Sequence, residues 1–366
     1  MPPRPPLVSY AVVGLGHIAQ VAVLPAFRHA RDNSRLAALV SGDATKRRAL
    51  SRKHRVRHAF SYDDYDECLQ MVDAVYLALP NHLHAEYAIR AAQAGVHVLC
   101  EKPLAVTAEE CERMIAACEE AGVHLMVAYR LHFEALNLEA IDLVRRGRIG
   151  EPRFFNASFA MTVRQGDIRA RRDYGGGTLY DIGVYCINAA RALFRAEPTE
   201  VLAMSVHSGA KRLTDVDETT AAVLRFDDGR IASFVTSFKA AGVGTYQIVG
   251  AKGHLRLDPA FKYAEPLAWT LTVGDRVTRK RVGKHDQFAA QLAYFSDCIQ
   301  RGRSPEPSGA DGLQDVRIIE ALYESAETGK AVALRPYVDR KRPTLQQRIT
   351  KPPVGKARLV KVKSPS

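Results

Sequence analysis

The chain has 366 residues, 47% of them hydrophobic and 25% charged, and carries a formal net charge of +12. That length suits two domains with a sizeable core, and no apolar run approaches the roughly 20 residues a membrane span needs. Met1-Pro2-Pro3-Arg4-Pro5-Pro6 lacks the apolar stretch of a signal peptide and reads as a short proline-rich arm, residues 1–6, so the expected location is cytoplasmic. Cys68, Cys100, Cys111, Cys118, Cys186 and Cys298 show no paired spacing, which argues against both a metal site and a disulfide framework. Nine of the cations sit in residues 337–366 against the single Asp339, so the excess charge is concentrated in a proline-containing basic tail. Such a tail can bind nucleic acid or an acidic membrane surface, but a solvated or surface-draped appendage is the favoured reading, and nucleic acid is not an expected partner.

Leu7 to Val13 is a short apolar run, followed by Gly14-Leu15-Gly16-His17-Ile18-Ala19 and a helical pattern through Phe27. Strand, glycine turn and helix in this order form a dinucleotide-binding pattern. Gly14 permits the tight turn, Gly16 admits a pyrophosphate, Ala19 keeps helix and strand close, and free backbone N–H groups at the helix start attract the anion, with His17 and Ile18 beside it. The next strand, Leu36 to Val40, ends in Ser41-Gly42-Asp43 with Lys46 and Arg47 following. A neutral Ser41 with two cations beyond it suits a 2′-phosphate and therefore NADP. Asp43 keeps NAD open, since a differently bent loop would let it accept from the ribose hydroxyls. Tyr62, at the second crossover, is a candidate to stack near the adenine.

Asp73 to Leu79 reads as a strand leading into Pro80-Asn81-His82-Leu83-His84 and a helix to Ala94. Val96 to Cys100 is the next strand, and it runs into Glu101-Lys102-Pro103, which places a lysine at a strand's C-terminal end, where open α/β sheets bind ligands. The tripeptide alone also fits a surface lysine in a tight turn. Ala108 to Ala121 is helical, Leu125 to Ala128 closes the parallel sheet, and Tyr129, Arg130 and His132 follow it as candidates for the cleft. Alternating strands and helices imply a doubly wound sheet over residues 7–130.

From about Gly150 the texture changes to period two: Arg153–Thr162, Glu200–Ser208, Thr219–Phe226, Arg230–Phe238, Thr245–Gly250 and Gly253–Asp258, with Asp227-Asp228-Gly229 as a hairpin turn. Helical patterns at His285–Arg301 and Gly312–Thr328 complete a second, antiparallel domain over residues 131–336. Between the two textures, Gly175-Gly176-Gly177 precedes a helix carrying Asp181 and Tyr185, four apart and so on one face. An N-terminal aspartate with a half-buried tyrosine is the plain reading of that pair, but three glycines argue for close backbone approach to a ligand.

Taken together, the fingerprint through Ala19, Pro80-Asn81 with His84, Glu101-Lys102-Pro103 and the glycine-rich Asp181 helix resemble, in order and spacing, the glucose-fructose oxidoreductase and inositol dehydrogenase (Gfo/Idh/MocA) family, from Val8 to about Leu334. Most of that family carries histidine four residues after the aspartate. Tyr185 matches the tyrosine branch, which includes glucose-fructose oxidoreductase, NADP-dependent xylose dehydrogenase and dihydrodiol dehydrogenase. The resemblance implies an α/β N-terminal Rossmann domain plus an α+β C-terminal domain with a large, mostly antiparallel open-faced sheet. It implies Tyr185 as the acid/base, Lys102 as its cationic helper and hydrogen-bond donor to substrate oxygen and nicotinamide ribose, and Asp181 as an orienting carboxylate. It also implies a cofactor site reaching Leu79, Pro80, Asn81, His84, Glu101, Arg130 and Arg169, and a cis Lys102–Pro103 bond. Relatives often carry a Trp-Arg pair before the triple glycine; here Ile168-Arg169 stands there, and the aromatic is missing.

The expected function is NADP-dependent hydride transfer to or from an aldose or related polyol, NAD being the less favoured cofactor. The alternatives are a dihydrodiol dehydrogenase with a more apolar pocket and a non-catalytic NADP-binding regulatory or scaffold protein, against which the intact Lys102, Asp181 and Tyr185 speak. Apolar positions on both sides of several second-domain strands, Val201 and Ala203 against Leu202, Met204 and Val206, predict a homodimer or homotetramer.

Overall fold

The computed structural model describes residues 5–207, 213, 215–337 and 342–364. Most of the proline-rich arm, the Ser208 end of one expected strand, and Asp339, Arg340 and Lys341 of the tail lie outside those residues.

Six parallel strands form the first sheet: β1 (Val8–Val13), β2 (Ser34–Val40), β3 (His58–Phe60), β4 (Ala74–Leu77), β5 (His97–Cys100) and β6 (Leu125–Val127), in the order β3-β2-β1-β4-β5-β6. Every residue of β1 is buried, as expected of a strand covered on both faces. The order reverses between β1 and β4, and the crevice beyond their C-terminal ends is where such sheets bind ligands. The connecting helices are α1 (Leu24–Ala26), continuous with a π-helical turn over Ala19–Val23, then α2 (Ala44–His54), α3 (Tyr65–Leu69), α4 (His84–Gln93) and α5 (Ala108–Glu120). Asp43 caps α2 by accepting from the backbone N–H groups of Thr45 and Lys46, and a reciprocal Thr107/Glu110 box starts α5.

Helix α6 (Ala135–Arg145) leads into a nine-stranded sheet of β7 (Pro152–Ala160), β8 (Pro198–Val206), β9 (Thr219–Phe226), β10 (Ile231–Ser237), β11 (Val243–Gly250), β12 (Gly253–Leu257), β13 (Leu267–Val273), β14 (Arg276–Val282) and β15 (Val332–Ala333). The order is β14-β13-β12-β11-β7-β10-β9-β8-β15, antiparallel throughout the described residues except that β10 runs parallel to β7. Helices α7 (Val184–Phe194) and α9 (Gly309–Thr328) join α6 against one face. Strict alternation along β9 leaves the other face to solvent. Helix α8 (Gln287–Arg301) follows β14 of the second sheet in sequence yet packs on the first sheet. Its Phe288, Leu292 and Phe295 share a core with Val8, Tyr10 and Val12, and Ser296 hydrogen-bonds the Tyr10 hydroxyl at 2.8 Å. The sequence pattern did not anticipate β3, α3, α6, β13 or β14. All six cysteines are buried, and among the described residues no helix is long and apolar enough to cross a membrane.

Beyond β15 the described residues of the tail lie along the protein. Arg342 pairs with Glu197, the Lys351 carbonyl accepts from Asp286 N at 3.0 Å, and the Arg358 carbonyl accepts from Lys53 Nζ at 3.1 Å.

Candidate active site

A cavity of about 980 Å³ opens where the C-terminal ends of the first sheet's strands meet the start of the second sheet. The loop after β1 shows why glycines are required there. Gly14 has φ +90°, and a Cβ on it would fall 2.5 Å from the Ala78 carbonyl oxygen. At Gly16 a Cβ would meet no protein atom within 4 Å, because that side of the backbone faces the open cavity. This is the cradle a dinucleotide pyrophosphate needs, and Leu15, His17 and Ile18 continue the wall. Burial and the Arg169 guanidinium together hold the His17 imidazole below its ordinary range, so it sits there uncharged near neutrality.

Ser41 and Lys46 line the cavity beyond β2, with Tyr62 beside them. Burial pushes the Tyr62 phenol up to about 12, so it contributes as a neutral ring. Asp43 does not share that wall: its carboxylate is spent on the α2 N-cap, at 2.8 and 3.0 Å, and on Lys361 Nζ at 3.4 Å. Arg47 donates to the Ser41 carbonyl, and Gly42 backs onto the Tyr62 ring, so both support the wall rather than form it.

Leu79, Pro80 and Asn81 line the cavity after β4, and Asn81 Nδ2 donates to the Gly175 carbonyl at 2.8 Å, linking this turn to the triple-glycine loop. His84 is fully buried. Its Nδ1 faces the carbonyls of Pro103 and Leu104 and its Nε2 that of Leu79, so it braces the turn that carries Lys102. The Lys102–Pro103 peptide bond is cis.

The polar centre is built around Lys102 and Asp181. Lys102 Nζ donates to the Asp181 main-chain carbonyl at 2.6 Å and lies 3.4 Å from Oδ1, while Arg169 Nε donates to Oδ2 at 2.9 Å. Burial alone would raise the Asp181 carboxyl, but the Arg169 guanidinium and the Lys102 ammonium more than offset it and hold it below the carboxylate range. Asp181 lies in a π-helical turn, Leu179–Gly183, and Tyr185 in the first turn of α7 beyond it. Both line the cavity. Lys102 Nζ stands 4.8 Å from the Tyr185 ring centroid and the Arg130 guanidinium 5.1 Å, while Phe159 and Phe261 pack its edge at 5.6 and 6.0 Å. Among the described residues no protein group hydrogen-bonds the Tyr185 hydroxyl.

Glu101 lines the same cavity and accepts from the Tyr76 hydroxyl at 2.7 Å, and burial pushes its carboxyl up. Arg130 is anchored by the Phe261 carbonyl at 2.6 Å and by Gln287. Tyr129 and His132 turn away: Tyr129 donates to Asp315, and His132 lies between Glu306 and Asn188 at 2.9 and 2.7 Å. The triple glycine serves protein contacts more than ligand contacts. A Cβ on Gly176 would fall 2.4 Å from the Arg169 carbonyl, and one on Gly177 would fall 2.3 Å from the Tyr323 hydroxyl.

Parts of the wall that escaped sequence reasoning include Phe159 and Met161 at the end of β7, Phe261 and Tyr263 in the β12–β13 loop, Arg164 and Asp167 ahead of Arg169, Phe288 of α8, and Lys361 to Ser364 of the tail. Two aromatics within three residues of a turn, Phe261-Lys262-Tyr263, were the signal available for the β12–β13 loop.

Two family models cover most of this architecture. An oxidoreductase family with an NAD-binding Rossmann fold matches residues 8–129, and the GFO/IDH/MocA C-terminal domain matches residues 137–256. The chain belongs to the GFO/IDH/MocA oxidoreductase family. As a GFO/IDH/MocA protein it is an NAD(P)-dependent oxidoreductase. It is 33% identical over 333 residues to D-xylose 1-dehydrogenase (NADP(+)) 2 of Haloferax volcanii, which spans 89% of this chain and 100% of the relative. An aldose-aldose oxidoreductase from Caulobacter crescentus, solved with glycerol, superposes with a TM-score of 0.86 at 39% identity over 90% of this chain and 100% of that one. The 3-ketoreductase KijD10 of Actinomadura kijaniata, solved with NADP and TDP-benzene, gives a TM-score of 0.80 at 30% identity over 87% and 98%.

Proposed function

We propose that this GFO/IDH/MocA enzyme uses NADP to interconvert a sugar hydroxyl and the corresponding carbonyl or lactone, with Tyr185 as acid/base and Lys102 and Asp181 as its assistants. The observation that carries the proposal is the convergence of Lys102, Arg130, Arg169 and Asp181 on the Tyr185 end of the cavity, beside the aromatic surface of Phe159, Phe261 and Tyr263. Several charged donors and acceptors suit a polyhydroxylated ring, whose apolar face rests on aromatics. A cyclic diol with a mainly apolar body leaves those charges poorly used, which disfavours the dihydrodiol reading.

The residues present fit the cofactor: Gly16 opens toward the pyrophosphate position, and Ser41 with Lys46 offers a hydroxyl and a cation where β2 ends. Asp43 is engaged by the α2 N-cap and by Lys361 and is not part of the cavity wall, whereas Ser41 and Lys46 are, which supports NADP over NAD. When bound, the nicotinamide supplies the hydride acceptor or donor. Lys102 donates to the substrate oxygen and, with Arg130, stabilises negative charge developing there. Asp181, held as a carboxylate, keeps the Lys102 ammonium and the Arg169 guanidinium in place. In the reducing direction the Tyr185 hydroxyl gives its proton to the substrate oxygen; in the oxidising direction the same oxygen receives it.

The outward face of the second sheet supports self-association. Leu202, Met204, Val206, Val223, Ile231, Val235 and Phe154 are all exposed, and the register sets Leu202 beside Val223 and Ile231 beside Phe154. We therefore propose that the enzyme is a homodimer or homotetramer that covers this apolar face.

The direct test is single-turnover hydride transfer with NADP across aldoses, polyols and cyclic diols, for wild type and Tyr185→Phe. Turnover of an aldose or polyol, lost by a factor of about 10² to 10⁴ in the variant with NADP affinity retained, is the expected result. A variant with wild-type rates removes Tyr185 from the mechanism, and activity confined to diols replaces the sugar reading.

A further inference from the structure

The described residues of the basic tail reach the cofactor cavity. After following α8 and α2, the chain reaches Val360, whose N–H donates to Gln20 Oε1 at 2.8 Å and whose carbonyl accepts from Gln20 Nε2 at 3.0 Å. Gln20 is fully buried, in the π-helical turn that follows the Gly14–Gly16 loop, and its Nε2 also donates to the Leu15 carbonyl at 3.0 Å. One buried amide therefore ties the tail to the glycine loop. The chain bends at Lys361, whose φ of 48° is rare for a side-chain-bearing residue, and residues 361–364 then form part of the cavity wall. Lys361 reaches back to Asp43, next to Ser41 and Lys46 at the end of β2, and Lys363 lies on the same lip.

We propose that residues 360–364 are a working part of the dinucleotide site: a lip closing over its 2′-phosphate end, with Lys361 and Lys363 as added cations and Gln20 as the anchor. The proposal rests on the NADP reading above. Lys361 acts twice there. It pairs with Asp43, further screening the carboxylate that already caps α2, and it adds positive charge beside Lys46. A lip joined to the glycine loop must lift before a dinucleotide can leave, so its main effect falls on dissociation.

The test measures NADPH release, followed by nicotinamide fluorescence after chase with excess NADP+, together with equilibrium affinity for NADPH and NADH. Four full-length or shortened proteins are compared: wild type, Lys361→Ala/Lys363→Ala, Gln20→Leu, and a chain ending at Gly355. Lys361 is 56% exposed, so the double variant does not endanger folding. The lysine variant and the shortened chain are expected to speed NADPH release by about tenfold or more, as loss of one charge-assisted contact implies, and Gln20→Leu to speed it in the same direction by freeing Val360 from the glycine loop. The lysine variant is expected to weaken NADPH more than NADH. NADPH release unchanged in both the lysine variant and the shortened chain overturns the role of the tail alone. A wild-type chain that binds neither dinucleotide overturns the cofactor reading and, with it, this proposal.

Discussion

Replacing Lys102 with methionine tests whether the ammonium and Tyr185 act as a unit. The Lys102 side chain is 12% exposed, and its ammonium stands 4.8 Å from the ring centroid of Tyr185. At an effective dielectric constant of about 20, a unit charge at that distance stabilises an opposite one by about 3.5 kcal/mol. With the ring centroid standing for the phenol, that is an order-of-magnitude figure equivalent to about two and a half decades of rate. Lys102→Met is therefore expected to slow hydride transfer by about 10² to 10³, since it also removes a donor to the substrate oxygen. Lys102→Arg, which keeps the charge, should recover part of that loss. In Lys102→Met/Tyr185→Phe the second change should cost far less than it does alone, because the proton that the ammonium assists is already gone. The assay is single-turnover absorbance of the nicotinamide at saturating cofactor, with binding measured separately because Lys102 lines the same cavity. Strict additivity of the two losses, or a Lys102→Met protein with wild-type transfer rates, refutes the coupling.

Gly176→Ala places a methyl 2.4 Å from the Arg169 carbonyl and should destabilise by about 1–3 kcal/mol, read as a lowered thermal midpoint; an unchanged midpoint contradicts the close-packing argument. Lys46→Ala/Arg47→Ala should weaken NADP more than NAD, with titration of both cofactors as the measurement and equal losses as the contrary result. Light scattering at micromolar concentration should give at least a dimeric mass, and Met204→Glu, at a position 73% exposed, should shift it toward the monomer; a monomeric wild type refutes the sheet-face proposal. His132 is expected to make stability pH-dependent: burial lowers its pKa, but Glu306 more than offsets this, and the folded value lies above the unfolded one. Its contribution is then complete below about pH 6.5 and is lost as pH rises through the folded value. Asp311, raised to about 6 by burial, also loses stability with rising pH, but over the range below that, so melting from pH 6.5 to 9 with His132→Gln as control isolates the histidine.

Where sequence reasoning succeeded and failed follows from what each element exposes. β1, β4 and β5 are short apolar runs bounded by turn residues, buried on both faces, and legible for that reason. The alternation of β9 was equally plain. β14 was hidden because six of its seven residues are exposed and four are basic, the composition of an edge strand guarded by charge and also of a loop. β3 is three residues long, too short to show a period. Helix α8 was seen as a helix, but nothing in its own pattern says which sheet its Phe288, Leu292 and Phe295 cover.

At the site, motifs located strand ends well and side-chain commitments poorly. Gly14, Gly16, Lys102, Asp181 and Tyr185 all line one cavity because each sits at a position the backbone geometry forces there: a tight turn, a strand tip or the start of a helix. Whether a polar side chain faces a ligand or a neighbour depends on partners distant in sequence. Asp43 faces its own helix N-terminus, Arg47 the Ser41 carbonyl, and His84 three backbone carbonyls, and none of these commitments follows from spacing alone. The tail is the extreme case. Its low hydrophobicity and high charge look the same whether it is solvated or docked, and the difference rests on partners distant in sequence, among them one buried glutamine 340 positions away that satisfies both backbone groups of Val360. Together with Arg342 on Glu197, the Lys351 carbonyl on Asp286 N and the Arg358 carbonyl on Lys53, that internal amide gives the basic segment its course along the protein and carries Lys361 to the mouth of the cavity.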